Sequence, residues 1–180
     1  ENVRAISLKA KLYSSTGQTA EARDEYEKLF QFEPRVYSNL CDLNKSMNME
    51  DKNTDVLQNA VVRFDRQLAD QDPVLEKRIN ILSYIIDCHL RLGDFAAAEA
   101  LVEKTQYKYP EDASVKIWAN RLLSISNFGR YHSIPGFNDR VFEKKIGYLT
   151  KAYELYPNNT KVQRELTRLI SGPAKVSAIV

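Results

Sequence analysis

Histidine and cysteine are the side chains through which a chain of this size would move protons, attack carbonyls or hold a metal. This one has two of each: His89 and His132, Cys41 and Cys88. A catalytic triad needs a nucleophile, a base and an orienting carboxylate brought together, and a structural zinc needs four donors at short, paired spacings. Ser133 stands next to His132, but a neighbouring pair is not a triad. Neither cysteine has a second Cys or His at a ligand spacing. The chain has no G-x-S-x-G, no phosphate-cradling glycine loop and no H-E-x-x-H. His89 falls mid-helix between two apolar stripes, where a packed, hydrogen-bonded histidine is the ordinary case. The cysteines fall inside predicted helices and read as buried free thiols. No enzyme, metal or cofactor is expected. Asn44-Lys-Ser46 and Asn158-Asn-Thr160 match the glycosylation sequon, although Asn158-Asn159 is also a turn signal after Pro157.

Recognition chemistry has more to draw on. Ten tyrosines and seven phenylalanines are spread over 180 residues. Most fall at helix-packing positions, among them Tyr13, Tyr26 and Tyr84. Phe128, Tyr131 and Phe137 stand apart in a stretch read as an inserted loop, residues 128–140. Such a loop is either functional or tucked over one end of the core. So many aromatics favour an ordered excursion packed by Phe128 and Phe137 over a linker. Lys and Arg exceed Asp and Glu by only two, with a sequence pI near 8.5, which gives no global nucleic-acid or membrane signature. No apolar run approaches the ~18 residues that would span a bilayer, and no signal peptide is present. A soluble chain of the cytoplasm or periplasm is expected, with neither compartment marked. The first residue, Glu1, is not Met, which suggests an excised or processed segment.

The elements that must position these residues are helices. Gly and Pro are few, at six each, and apolar residues recur at i, i+3, i+4 and i+7. Ile6, Ala10 and Tyr13 share one face, Gly17 turns the chain, and Ala22, Tyr26 and Leu29 face back before Pro34. Thr19 is placed as the cap of the returning helix, with Glu21 in its first turn. Val36, Leu40, Leu43 and Met47 continue the pattern. After the charged segment Glu50-Asp51-Lys52-Asn53, with Thr54 as cap, come Leu57, Ala60, Phe64 and Leu68. Ile79, Leu82 and Ile86 form one stripe and Ile81, Ile85, Cys88 and Leu92 a second, as in a helix held between neighbours. Gly93 ends it and Asp94 caps the next. Val115, Ala119, Leu122 and Ile125 follow, then Phe142 to Tyr156. A closing helix, Thr160 to Ser171, puts Val162, Leu166, Leu169 and Ile170 inward and Lys161, Arg164, Glu165 and Arg168 toward water.

Small residue, aromatic, turn glycine, small residue, aromatic, closing proline: Ala10, Tyr13, Gly17, Ala22, Tyr26 and Pro34 resemble a tetratricopeptide (TPR) repeat. The order returns at Gly93, Ala98 and Pro110 and at Ala152 and Pro157. The closing prolines at 34, 73, 110 and 157 are spaced wider than the family period of about 34 residues. The resemblance implies an all-α, right-handed superhelical array of helical hairpins over 1–171. The hairpins are about 3–34, 36–73, 79–110 and 113–157, the last with the 128–140 insert. The closing helix 160–171 and a tail 172–180 follow.

Helical-repeat arrays bind partners. The resemblance implies a non-catalytic scaffold holding a peptide or a partner helix in a concave groove lined by the first helix of each hairpin. Transferred onto this sequence, the contacting positions include Arg4 and Lys11; Lys45; Asn80, Ser83 and Asp87; Arg121; and Lys161, Arg164 and Arg168. Ser7, Ser14, Ser38, Cys41, Asn48, Leu90, Ser114, Ile117 and Ser124 complete the lining. Phe128, Tyr131 and Phe137 add a contact from the insert. Seven lining residues are basic and one is acidic, so an acidic protein partner is favoured over nucleic acid. Ser7 and Lys11 stand where the family's chaperone-tail clamp needs lysine and asparagine, so that activity does not carry over. The alternatives are a docking segment of a larger secretion or polysaccharide-export protein, a regulatory module of an enzyme, or an RNA-binding array.

Overall fold

The computed structural model describes residues 2–71, 73–136 and 138–171, with the backbone alone at 71 and 170. Phe137, the Ile170 side chain and the 172–180 tail lie outside the described residues. The fold is all-α. Its helices are α1 (Val3–Ser15), α2 (Thr19–Phe30), α3 (Tyr37–Ser46), α4 (Asn53–Gln71), α5 (Leu75–Arg91), α6 (Phe95–Lys108), α7 (Ala113–Ser133), α8 (Asp139–Leu155) and α9 (Thr160–Ser171). They form two compact units that divide between Leu92 and Gly93. That division falls at the turn of the third hairpin expected from sequence, leaving α5 in the first unit and α6 in the second.

In the first unit, small residues let neighbouring helices pack closely. Ala10 of α1, Ala22 of α2 and Ala60 of α4 are fully enclosed. The α1–α2 turn is a Schellman motif. Gly17 sits at φ +76°, its N–H donating to Ser14 O and that of Gln18 to Tyr13 O. The same motif closes α3, with Asn48 at φ +56° and the N–H of Met49 donating to Asn44 O at 2.8 Å. Asparagine is the side chain that best tolerates this left-handed position. Two expected caps are corrected. Gln18 precedes α2, and the Thr19 hydroxyl donates back to Gly17 O. α4 starts at Asn53, one residue before Thr54, out of a short 3₁₀ turn.

Buried polarity stitches this unit together. Asn44, only 1% exposed, accepts from Arg23 Nε at 2.9 Å and donates to Asn53 at 3.0 Å, tying α2, α3 and the start of α4. An amide spent this way offers no acceptor for a glycan, so the Asn44 sequon is structural. Phe64 stacks on Tyr84 at 5.2 Å between centroids, and Tyr37 meets both rings edge-on. Burial pushes the free thiols of Cys41 and Cys88 up to about 11 and about 12, which leaves both protonated and unreactive at neutral pH.

In the second unit each helix start has a side-chain cap. Asp94 accepts from Ala97 N–H, Asp112 from Ser114 and Val115, Asn138 from Val141 and Asn159 from Val162. The inserted segment is mostly helix, which corrects its reading as a loop. α7 runs unbroken through Phe128, Gly129 and Tyr131 to Ser133, and α8 resumes at Asp139. Tertiary contacts override the glycine. A Cβ on Gly129 would sit 2.5 Å from the Phe95 ring, so the glycine is where α6 and α7 meet closely. Tyr131 is buried with Leu149, Ala152 and Val162, and Phe128 packs against that cluster.

Arg130 clamps Glu99 with two hydrogen bonds, at 3.0 and 2.9 Å, while Ser126 donates at 2.6 Å, joining α7 to α6. Burial acts to raise the Glu99 pKa, but the bonds from Arg130 and Ser126 outweigh it and hold the carboxyl below the usual range. A carboxylate with a lowered folded pKa adds stability above its unfolded value, near 4.3, and loses it as pH falls through the folded value. Glu99→Gln is therefore expected to cost about 1–2 kcal/mol at pH 7, after allowing for solvent screening. The gap from the parent should begin to narrow as the pH falls below about 4.3 and close below the folded value, measured by urea unfolding across pH. A gap that does not narrow at all as the pH falls would assign the loss to shape instead of charge.

Candidate partner-binding site

In the second unit, the 3.6-residue period puts Arg121, Ile125 and Phe128 on one side of α7. Across from them stand Tyr156, Asn158, Asn159, Thr160 and Lys161, the turn into α9 and its first residues. Together these eight enclose a cleft of about 370 Å³. Its wall is fixed from behind. Ser124, fully buried, donates to Ala152 O at 2.6 Å and accepts from Asn159 Nδ2 at 3.5 Å, holding the turn against α7 and α8. Gln163 donates to Pro157 O at 2.7 Å, bracing the turn from α9.

Charge and polarity in the cleft are one-sided. None of its lining residues is acidic. Arg121 and Lys161 are exposed and form no ion pair among the described residues, and the same holds for Arg164 one turn along α9. Ile125, 39% exposed, and the half-buried Phe128 add apolar surface to the same lining. An anionic group beside an apolar side chain matches this arrangement. The structure thus gathers three of the sequence-derived candidates, Arg121, Phe128 and Lys161, into one concavity. Arg168 is engaged elsewhere, paired with Glu165 at 3.0 Å. Glu165 does not simply face water as expected: its carboxylate also accepts from the buried Tyr131 hydroxyl at 3.1 Å. Tyr131 is thus a core residue of α7 and leaves no ring surface for a partner.

The first unit distributes its candidates differently. Arg4 and Lys11 stand exposed on α1. Lys45 borders a second cleft, of about 420 Å³, with Asp42, Glu50 and Arg91, where both signs of charge meet. Asn80 lines a third with Arg35, Lys77 and Tyr84. Ser83 donates to Ile79 O of its own helix at 2.8 Å. Asp87 accepts from Tyr37 at 2.6 Å and from Arg91 Nε at 2.8 Å, and Arg91 also reaches Ser38 at 3.0 Å. The expected acidic spot is therefore neutralised; burial of the Tyr37 phenol, and then its hydrogen bond to Asp87, drive its pKa far above the ordinary value. Cys41 and Ser124, both expected to line the groove, are buried. Arg91 was missed by the sequence reading, although its i+4 spacing from Asp87 is the pattern that signals such a pair.

Among the described residues, no cluster of three or more His, Cys, Asp or Glu is placed to hold a metal ion, and no helix is long and apolar enough to cross a membrane. No family model and no curated protein matches the sequence. Two solved structures are similar in layout. One is "MamA RS-1 ArsTM double mutant", 18% identical over 97% of this chain and 87% of that chain, with a TM-score of 0.44. The other is "MamA MSR-1 C2", 19% identical over 90% of this chain and 81% of that chain, with a TM-score of 0.38. At these scores neither likeness bears on what the chain binds.

Proposed function

We propose that this chain is a non-catalytic interaction scaffold of the tetratricopeptide type. Its second unit holds an acidic peptide segment of a partner protein in the cleft between α7 and the start of α9. The observation that carries this reading is that Arg121 and Lys161, which form no ion pair among the described residues, line one cleft with Ile125 and Phe128 and no carboxylate. An acidic side chain would pair with the cations while a neighbouring apolar one covers the apolar lining. The cleft is braced by Ser124, Asn159 and Gln163, so little backbone movement is needed.

A labelled decapeptide alternating Glu and Leu, with a Gln-for-Glu twin, tests the charge requirement by fluorescence anisotropy. The Glu peptide should bind at least about tenfold more tightly than its twin at low salt, and the advantage should fade as salt screens it. In Arg121→Glu, Lys161→Glu protein, Glu-peptide binding should fall by at least about tenfold and lose its salt dependence. Equal binding of both peptides, or a double reversal without effect, refutes the reading.

A further inference from the structure

The first helix carries a second surface, on the side turned away from its packing partner. α1 buries Ile6 and Ala10 against α2, while Ala5, Leu8 and Leu12 point the other way. Leu8 is 61% exposed and Leu12 59%. Among the described residues they are the one pair of exposed large apolar side chains spaced i, i+4, and they make a continuous ridge along the helix. Ala5 beside them leaves room for close approach of a backbone.

Among the described residues, the rim of this ridge has a single sign. Arg4 and Lys11 lie along one side and Lys9 along the other, all exposed and none ion-paired among the described residues. α1 contains no acidic residue. A second copy of the chain docked ridge to ridge would set cation against cation across a small apolar contact. The ridge calls for an apolar stripe bordered by carboxylates.

We propose that the outer face of α1, Leu8 and Leu12 rimmed by Arg4, Lys9 and Lys11, docks an amphipathic helix of another protein whose apolar stripe is flanked by Asp or Glu. The i, i+4 row of Leu8 and Leu12 enters the groove between side chains of the incoming helix, and Lys9 and Lys11 reach the carboxylates on either side. This surface is separate from the α7–α9 cleft and stands whether or not that cleft binds peptide.

The probe is a labelled 18-residue helical peptide with leucines on one stripe and glutamates flanking it. One twin carries lysines on the flanks and another has glutamines in place of the stripe leucines. Binding is measured by anisotropy on the whole chain carrying Arg121→Glu and Lys161→Glu, so that the cleft is silenced. The Glu-flanked helix should bind, and both twins should bind at least about tenfold more weakly. Adding Leu8→Gln and Leu12→Gln, or Lys9→Glu, should weaken it by a similar factor. The circular dichroism melt should be unchanged, because all three positions are exposed. The proposal is overturned if the Lys-flanked twin binds equally or if the α1 substitutions leave binding intact. It is also overturned if α1 instead drives self-association in sedimentation, or if α1 binds vesicles of anionic phospholipid more tightly than the Glu-flanked helix.

Discussion

Ending the chain at Asn159 is expected to destabilise the second unit by roughly 3–5 kcal/mol and to make the product associate. Val162 is fully buried against Tyr131, Leu149 and Ala152, and Leu166 and Leu169 cover the same cluster. Burying one such aliphatic side chain contributes about 1.5–3 kcal/mol, and the two half-buried leucines add a share each. Removing α9 also takes Glu165 away from the buried Tyr131 hydroxyl, leaving a polar group without its partner. For a unit of this size, the melting temperature should fall by on the order of 15–30 °C. α9 covers that cluster from one side and presents Lys161, Arg164 and Arg168 to solvent on the other, so its loss replaces a polar face with an apolar one. Truncation after Ser171 serves as the control and should melt like the full chain. A monomeric, unshifted product ending at Asn159 would refute the capping role.

Phe64→Ala is expected to be the most damaging single substitution in the first unit, at about 3–5 kcal/mol. The ring is fully buried on α4, stacked on Tyr84 of α5 and met edge-on by Tyr37 of α3 at 6.1 Å. Its removal opens a cavity shared by three helices. It also loosens Tyr37, whose hydroxyl holds Asp87, and with it the Arg91 bridge to Ser38. Phe64→Leu should recover part of the loss, because most of the volume returns without the aromatic contacts. Urea unfolding reports the total, and hydrogen exchange at amides of α3, α4 and α5 locates it. A loss below about 1 kcal/mol would mean the three helices do not depend on this ring.

Residue type and local spacing determined which segments are helices, which face of each is apolar and where several turns fall. Such choices need no distant partner. Gly17 takes a left-handed conformation because it has no Cβ, and Asp94 reaches the first amides of the helix beside it. The chain turns after α3 in the same way, since Asn48 can adopt the conformation that Gly17 does. Sequence also marked Arg121 and Lys161 as groove candidates, because a positional pattern can be transferred without knowing neighbours. The tertiary structure alone decided the rest. It drew the 128–133 segment into α7, since Phe95, Glu99 and the Leu149 cluster outweigh the loop preference of a glycine. It spent Asp87 on Tyr37 and Arg91, buried Asn44 between Arg23 and Asn53, and turned Glu165 toward Tyr131. Among the described residues, it also left Arg121, Lys161 and the α1 cations without ion-pair partners. Whether a charge is free or taken depends on residues dozens of positions away, and local spacing carries no record of them.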